Sequence, residues 1–347
     1  MEKLKVAIIG AGQIARTAHI PNYIAFQDEV EIVGISSRNI ESAKEVASQF
    51  HVDKFYSDHI KMLEELKPDI VSVCTPNKFH CQIVCDALER GSNVLCEKPP
   101  AITVEEVEKM HNTAAKYHRL LSFGFHFRHS DDVTFLKKKI TGGEFGEIYA
   151  GKVKWNRRRG IPGWGSFTDK EIQGGGPLID IGVHMLDLAM YLMDYPGIDY
   201  VSGTAHQKIG KKKGVGLMGD WDPNKFTVED SFFGFIKFKN GASINLETAF
   251  ALNMKENETY NVWLFGDKLG ARIFPLETYG EDGNRLTNIS YPSHETEDLH
   301  YKCIANFVNA CLGKDTLLVT SEQGVYIQKL ICSLYESARL GKPVIMQ

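Results

Sequence analysis

No apolar run in this chain approaches the length of a membrane span, and charged residues interrupt the N-terminus before the first apolar stretch. Neither a transmembrane helix nor a secretory signal is therefore expected, and a cytoplasmic setting is. Cysteines are few and odd in number. The seven are scattered, several inside apolar segments, which argues against a disulfide framework and fits reduced core thiols. Charge of one sign is lacking too: 40 Lys and Arg stand against 44 Asp and Glu, a net charge of -4. The basic runs at 157–159 and 211–213 are short and lead into no basic tail, so no nucleic-acid partner is expected. There is no HExxH motif and no cysteine cluster. Asp180, His184 and Asp187 could be gathered around an ion, but nothing else supports a metal, and His126 and His129 lack partners at ligand spacing. Internal repeats and low-complexity tracts are missing as well.

What is present is a chain of 347 residues, 43% hydrophobic and 24% charged, long enough for two domains. Its organising stretch is KLKVAIIGAGQIARTAHIPNY, from residue 3. Residues 3–9 are apolar enough for a buried parallel strand. Gly10 permits a tight turn, and Gly12 leaves room for a pyrophosphate to approach the backbone. A helix beginning near Gln13 offers its first N–H groups to that anion, and Ala15 allows close helix–strand packing.

Strand and helix then alternate. Strands are expected at 29–35, 69–74, 93–96 and 120–123, and helices at 40–50, 58–66, 80–90 and 104–117. That alternation is the signature of a parallel sheet covered on both faces, in a first domain spanning 1–124 whose sheet is expected to reach six strands. The rhythm changes in the second, 125–347. A helix is expected at 129–140, a strand at 148–155, the loop RRRGIPGWGSF, and a helix at 178–193. Strands at 199–207, 231–238, 242–249 and 260–265 follow without intervening helices, with Thr227 and Val228 as a candidate extension of the second. They predict a mostly antiparallel sheet. Helices at 295–311 and 322–340 lie on this sheet or return to the first domain.

Ligands of open α/β sheets sit beyond the carboxyl ends of the strands, and three such ends are loaded. After the second strand, Ser36, Ser37 and Arg38 stand where an NAD site often carries an acidic residue; hydroxyls followed by Arg suit a 2′-phosphate. In the segment CTPNKFH, Thr75 and Asn77 either contact a cofactor or cap the next helix. Glu97 and Lys98 precede two prolines that restrict the backbone, so Lys98 is held where it can donate to an alcohol or carbonyl oxygen, the alternative being a surface salt bridge between Glu97 and a neighbour. In GGGPLIDIGVHMLDL, from residue 174, Asp180 and His184 share a helical face. They form either a carboxylate–imidazole proton-transfer pair or a structural one.

GAGQIA at 10–15, CTPNKFH at 74–80, CEKP at 96–99 and GGGPLIDIGVHMLDL at 174–188, in this order and spacing, resemble the Gfo/Idh/MocA family, the glucose–fructose oxidoreductase and inositol dehydrogenase group. The resemblance covers nearly the whole chain. It implies an α/β protein: an N-terminal Rossmann domain, and a C-terminal α/β domain on a large open, mostly antiparallel sheet. It also implies hydride transfer between NAD(P) and a hydroxyl-bearing carbon of a sugar, cyclitol or derivative. Lys98 would contact the reacting hydroxyl and position the nicotinamide, and Asp180 and His184 would bind substrate and move the proton. Gly10, Gly12, Gln13 and Ile14 would form the pyrophosphate turn, with Ser37 and Arg38 at the adenosine ribose. Thr75, Asn77 and His80 would line the cofactor cleft, and Glu97 would sit beside the ribose or nicotinamide. Arg158, Trp164 and Phe167 are substrate-loop candidates. Lacking an acidic residue near Ser36, the chain is expected to accept both cofactors with a slight preference for NADP. Apolar strands in the second domain predict a homodimer or homotetramer. The rivals are a same-fold enzyme that retains its cofactor (a redox-assisted glycosidase or an internally recycling oxidoreductase), a non-catalytic dinucleotide-binding regulator, and a reductase of planar pigments.

Overall fold

The structure is a computed structural model that describes residues 3–292 and 298–346. Its chain divides into two compact units, Met1–His126 with Asp298–Gln328 and Phe127–Glu297 with Lys329–Gln347.

In the first unit β1 (Leu4–Ile9) runs into a helix that opens as a π turn, Ala15–His19, and continues as α1 (Ile20–Ile24). Then come β2 (Val30–Ser36), α2 (Ile40–Gln49), β3 (Phe55–Tyr56), α3 (His59–Leu66), β4 (Ile70–Val73) and α4 (His80–Glu89). β5 (Asn93–Cys96), α5 (Val104–Lys116) and β6 (Leu121–Phe123) complete the layer. The six strands are all parallel, in the order β3-β2-β1-β4-β5-β6. The expected Rossmann sheet is therefore present, with its switch point between β1 and β4. β3 is the strand that hydrophobic patterning does not announce, two residues long with an exposed Phe55. Local chemistry sets the helix starts: the Asn39 and Asp58 side chains cap α2 and α3, and Thr103 with Glu106 forms a capping box on α5.

The second unit holds α6 (Asp131–Thr141), β7 (Ile148–Arg157) and α7 (Lys170–Gln173). A second π turn, Leu178–Gly182, leads into α8 (Val183–Leu192). Consecutive strands follow: β8 (Ile198–His206), β9 (Ser231–Phe238), β10 (Ser243–Ala249), β11 (Glu258–Gly266), β12 (Gly270–Arg272), β13 (Glu277–Asp282) and β14 (Arg285–Ser290). Thr227 and Val228 do not extend β9, because the chain there turns toward Asp230 and Thr227 bonds to Thr168. The closing elements are α9 (Leu299–Cys311), α10 (Ser321–Leu340) and β15 (Val344–Ile345). Of the helix expected at 295–311, residues 295–297 lie outside the described residues. Ile304, Phe307 and Val308 of α9 join the first unit's core beside Ile8, Ile20 and Tyr23.

Among the described residues the second sheet has nine strands, ordered β14-β13-β12-β11-β7-β10-β9-β8-β15, and only the β7–β10 pair is parallel. Its strands alternate. Val153, Ile236, Ile244, Leu246, Val262 and Leu264 are buried, while Lys152, Lys154, Phe233, Phe235, Trp263 and Phe265 are turned to the other face. The almost wholly apolar α8 packs on β7 and β11.

Candidate active site

The turn after β1 shows why glycine is needed at residue 10. Its φ is +110°, and a Cβ there would lie 2.4 Å from the Cys74 carbonyl oxygen. At Gly12 a Cβ would meet nothing within 4 Å, because it would project into open space. That space is a cleft of about 420 Å³ whose wall includes Gly10, Gly12, Ser36, Ser37, Arg38 and Thr75. Ser42, Ser57, His59 and Gln82, which sequence reasoning missed, add polar groups to it. No carboxylate is among the described lining residues. The Arg38 guanidinium lies over the Phe79 ring at 4.4 Å. The Thr75 hydroxyl is buried with no hydrogen-bond partner among the described residues, an orphan that a ligand in the cleft would satisfy. Open space at Gly12, the start of a helix at Gln13 and an unpartnered hydroxyl all fit a dinucleotide.

Other predicted cofactor residues stand outside that wall: Gln13, Ile14, Asn77, His80, Glu97 and Lys98. His80 is fully buried. Its Nδ1 lies 2.9 Å from the Pro99 carbonyl and its Nε2 2.8 Å from that of Thr75, so the ring ties together the loops after β4 and β5. Burial lowers its pKa against the pull of those carbonyls.

Glu97 is likewise turned inward. Its Oε1 lies 2.8 Å from His19 Nε2, and its Oε2 accepts the Lys98 backbone N–H at 3.2 Å. The other His19 nitrogen meets the Ser72 hydroxyl at 2.6 Å. The π turn at Ala15–His19 delivers this histidine to the carboxylate, a partner the sequence does not advertise across 78 residues. Burial opposes the charge on His19, but the Cys74 sulfur and the Glu97 carboxylate outweigh it and raise its pKa to about 10. Burial likewise opposes the charge on Glu97, and His19, then Lys98 and His300, bring it down to about 2. The pair is ionised. Nearby, the His126 and His300 rings stack at 4.1 Å. Burial lowers both; His300 adds to the effect on His126, which falls to about 3, and His19 adds to the effect on His300. Lys98 itself is half-buried at the end of this network, ahead of a cis peptide to Pro99.

In the second unit, the triple glycine is explained by close packing. A Cβ on Gly175 would lie 2.1 Å from the Tyr335 hydroxyl, and one on Gly176 2.2 Å from the Glu229 carbonyl. The buried Glu229 carboxylate accepts N–H groups from Gly176 at 2.9 Å and Leu178 at 3.3 Å, and the Tyr335 hydroxyl donates to it at 2.7 Å. This carboxylate holds the start of the helix that bears Asp180 and His184. Burial raises its pKa. Three residues beyond His184, Asp187 receives both arms of Arg128, with Nε at 2.8 Å from Oδ2. Arg128 and Asp187 are both fully buried, and burial pushes the Asp187 carboxyl up in spite of the guanidinium. That bond also takes Asp187 out of any metal set.

His184 is buried and Asp180 half-buried. Phe127 meets the His184 ring edge-on at 5.4 Å, and Trp155 lies 5.7 Å from it. The substrate-loop candidates are placed differently. Arg158 is exposed and donates to the Lys255 carbonyl at 3.3 Å, while the Trp164 and Phe167 rings pack on each other at 6.2 Å. A buried histidine four residues from a carboxylate, on a helix whose start is held by Glu229 and whose middle is tied to Arg128 through Asp187, can accept and return a proton in a fixed orientation.

Residues 4–125 match the model of an oxidoreductase family with an NAD-binding Rossmann fold, and residues 137–346 match that family's C-terminal alpha/beta domain. Among curated relatives, the D-glucoside 3-dehydrogenase of Escherichia coli (strain K12) is 42% identical over 341 residues, covering 98% of this chain and 97% of its own. The glucose-6-phosphate 3-dehydrogenase of Bacillus subtilis (strain 168) is 27% identical over 268 residues, 76% of this chain and 72% of its own. A levoglucosan dehydrogenase solved in complex with NADH shares the fold, with a TM-score of 0.86 at 22% identity and full coverage of both chains.

Proposed function

The chain belongs to the Gfo/Idh/MocA oxidoreductase family, and we propose that it oxidises the 3-hydroxyl of a D-glucoside with NAD(P) as the hydride partner. The observation that carries this reading is the 42% identity with the D-glucoside 3-dehydrogenase across 98% of the chain. Residues 1–124 hold the dinucleotide in this reading, and residues 125–347 hold the sugar.

Gly10, Gly12 and the first N–H groups of the helix at Gln13 take the pyrophosphate, and Thr75 donates its hydroxyl to the ligand. Ser37 and Arg38, with Ser42 and Ser57 in the same cleft wall, accept either ribose, and the lack of a lining carboxylate favours NADP somewhat. When bound, the nicotinamide supplies the hydride acceptor in oxidation and the donor in reduction. Lys98 Nζ donates to the reacting oxygen and stabilises the charge that develops there. His184 takes the hydroxyl proton, and Asp180 holds the imidazole or a neighbouring hydroxyl; in reduction both transfers reverse. The buried His19–Glu97 pair anchors the backbone at Lys98.

The open face of the second sheet carries a groove of about 660 Å³ among Lys152, Lys154, Phe233, Glu247, Trp263 and Phe265. We assign it to a second copy of the chain, in a dimer or a doubled tetramer, and sedimentation at micromolar concentration checks this: a single 39.0 kDa species would refute it. Seven free thiols agree with a reducing, cytoplasmic setting.

The central test is a panel of methyl D-glucosides, free sugars and cyclitols with NAD⁺ and NADP⁺, following reduced nicotinamide and locating the product ketone by NMR. A ketone at carbon 3 of a glucoside is the expected outcome. No reduction of either cofactor, or a ketone at another carbon, would overturn the reading.

A further inference from the structure

Around His184 the second unit assembles an aromatic wall that no sequence motif marks. Trp155 and Tyr260 are register partners on β7 and β11, with ring centroids 5.0 Å apart and an inclination of 31°. Phe127 meets Trp155 edge-on at 5.8 Å, and Phe274 lies 5.7 Å from Phe127 and 5.5 Å from Tyr260. None of the four rings is fully buried, although Trp155 also packs against the cluster of Ile161, Ile181 and Phe250. Along β7 burial is nearly complete at Val153 and has relaxed by Trp155; along β11 it is complete at Leu264 and Val262, and Tyr260 is 39% exposed. The covered face of the sheet thus opens at the rings beside the candidate base. Trp155 is also locked: its Nε1–H donates to Glu258 Oε1 at 2.8 Å, and Arg157 Nε donates to the same oxygen at 2.7 Å. A rigid, half-exposed aromatic surface of this kind is what a ligand pocket uses to orient an apolar ring face.

We propose that Trp155 and Tyr260, backed by Phe127 and Phe274, form a stacking platform that selects a rigid six-membered sugar ring, a pyranoside or cyclitol, over an open-chain polyol. The inference rests on the sugar-oxidising reading above and goes further, to the residues that set ring preference. The polarised C–H bonds of a chair-form ring fit the negative faces of the aromatic rings. An open-chain polyol presents no such flat face and must lose several torsions to imitate one.

The test compares methyl β-D-glucopyranoside with sorbitol in the wild-type protein and in Trp155→Ala, Tyr260→Ala and Trp155→Phe. For each alanine variant we expect KM for the glucoside to rise by roughly three- to tenfold with little change in kcat, while sorbitol kinetics and NADH binding stay put. Trp155→Phe should recover most of the loss, which a merely structural defect would not do. Unchanged glucoside KM in both alanine variants would overturn the platform. Saturation-transfer NMR separates the two ideas. If the wild type oxidises no sugar, the functional reading fails; transfer from aromatic protons to the glucoside ring protons, lost in Trp155→Ala, would still support the platform, and no transfer would sink it.

Discussion

β4 in the first sheet is buried at every position, whereas β14 at the edge of the second is exposed at nearly all of its own. The first sheet is parallel and its central strands are buried, so those strands are short and mostly apolar and its candidate binding groups gather at and beyond the strand ends. The second sheet is covered on one face, so its strands alternate. Its candidate catalytic groups stand on the helix that covers it, not on strand ends. Both units nevertheless place a π turn and a buried ion pair near their candidate side chain. A π turn opens the helix, at Ala15–His19 in one and Leu178–Gly182 in the other, and a buried ion pair lies close by, His19–Glu97 beside Lys98 and Arg128–Asp187 beyond His184. The lesson is that each candidate group, half-buried at Lys98 and buried at His184, stands beside a buried ion pair.

The sharpest way to break that symmetry is to remove one reactive group from each unit. Lys98→Met and His184→Ala should each lower kcat by about 10²- to 10⁴-fold while dinucleotide binding, measured by fluorescence titration, is retained. Asp180→Asn should cost roughly tenfold to a thousandfold in kcat/KM. If His184→Ala kept normal turnover across the pH range, the proton would travel by another route, with Lys98 as the leading base.

Breaking the supports should act on stability instead. His19→Ala leaves Glu97 buried without its cation, and Arg128→Ala does the same to Asp187. Each should cost about 3–5 kcal/mol in urea unfolding. Equal loss in both would support the parallel between the units, and a negligible loss in either would break it.

The pH dependence distinguishes the units further. Glu97 is depressed to about 2, so its contribution is present above the ordinary carboxylate value of 4.5 and is lost as pH falls toward 2. His126, lowered to about 3, and His300, lowered by burial, take up protons less readily in the fold than in the unfolded chain, so they too favour unfolding in acid. His19, raised to about 10, stabilises fully below 6.5, and its contribution disappears as pH rises through 10. Urea midpoints for the first unit should therefore fall on both sides of the ordinary histidine range. His19→Asn should flatten the alkaline limb, and persistence of that limb would assign it elsewhere.

The smallest effect is expected at the cleft rim. Arg38→Ala should weaken NADP(H) binding by about tenfold to a hundredfold and NAD(H) by little, because only the former brings a dianion. Equal losses for both would show that Arg38, resting on Phe79, reads no phosphate.

Much of this molecule was legible from residue order. The Gly10–Gly12 turn, the alternating strands and helices, the loop bearing Lys98 and the helix bearing Asp180 and His184 are local features, written by periodicity and by glycine and proline at short spacing. β3 and β12–β14 escaped because two- and three-residue strands and polar edge strands exist through pairing with neighbours, not through an apolar pattern of their own. Glu97 and His80 looked like cofactor contacts from their motifs, and tertiary structure turned both inward. Only the fold could match Glu97 with His19 across 78 residues or Arg128 with Asp187 across 59, since a buried charge is satisfied by whichever partner the packing delivers. The wall of Phe127, Trp155, Tyr260 and Phe274 has the same origin. Sequence determined that these side chains were aromatic; sheet register and the packing of α8 decided that they meet one another and that Phe127 and Trp155 meet His184.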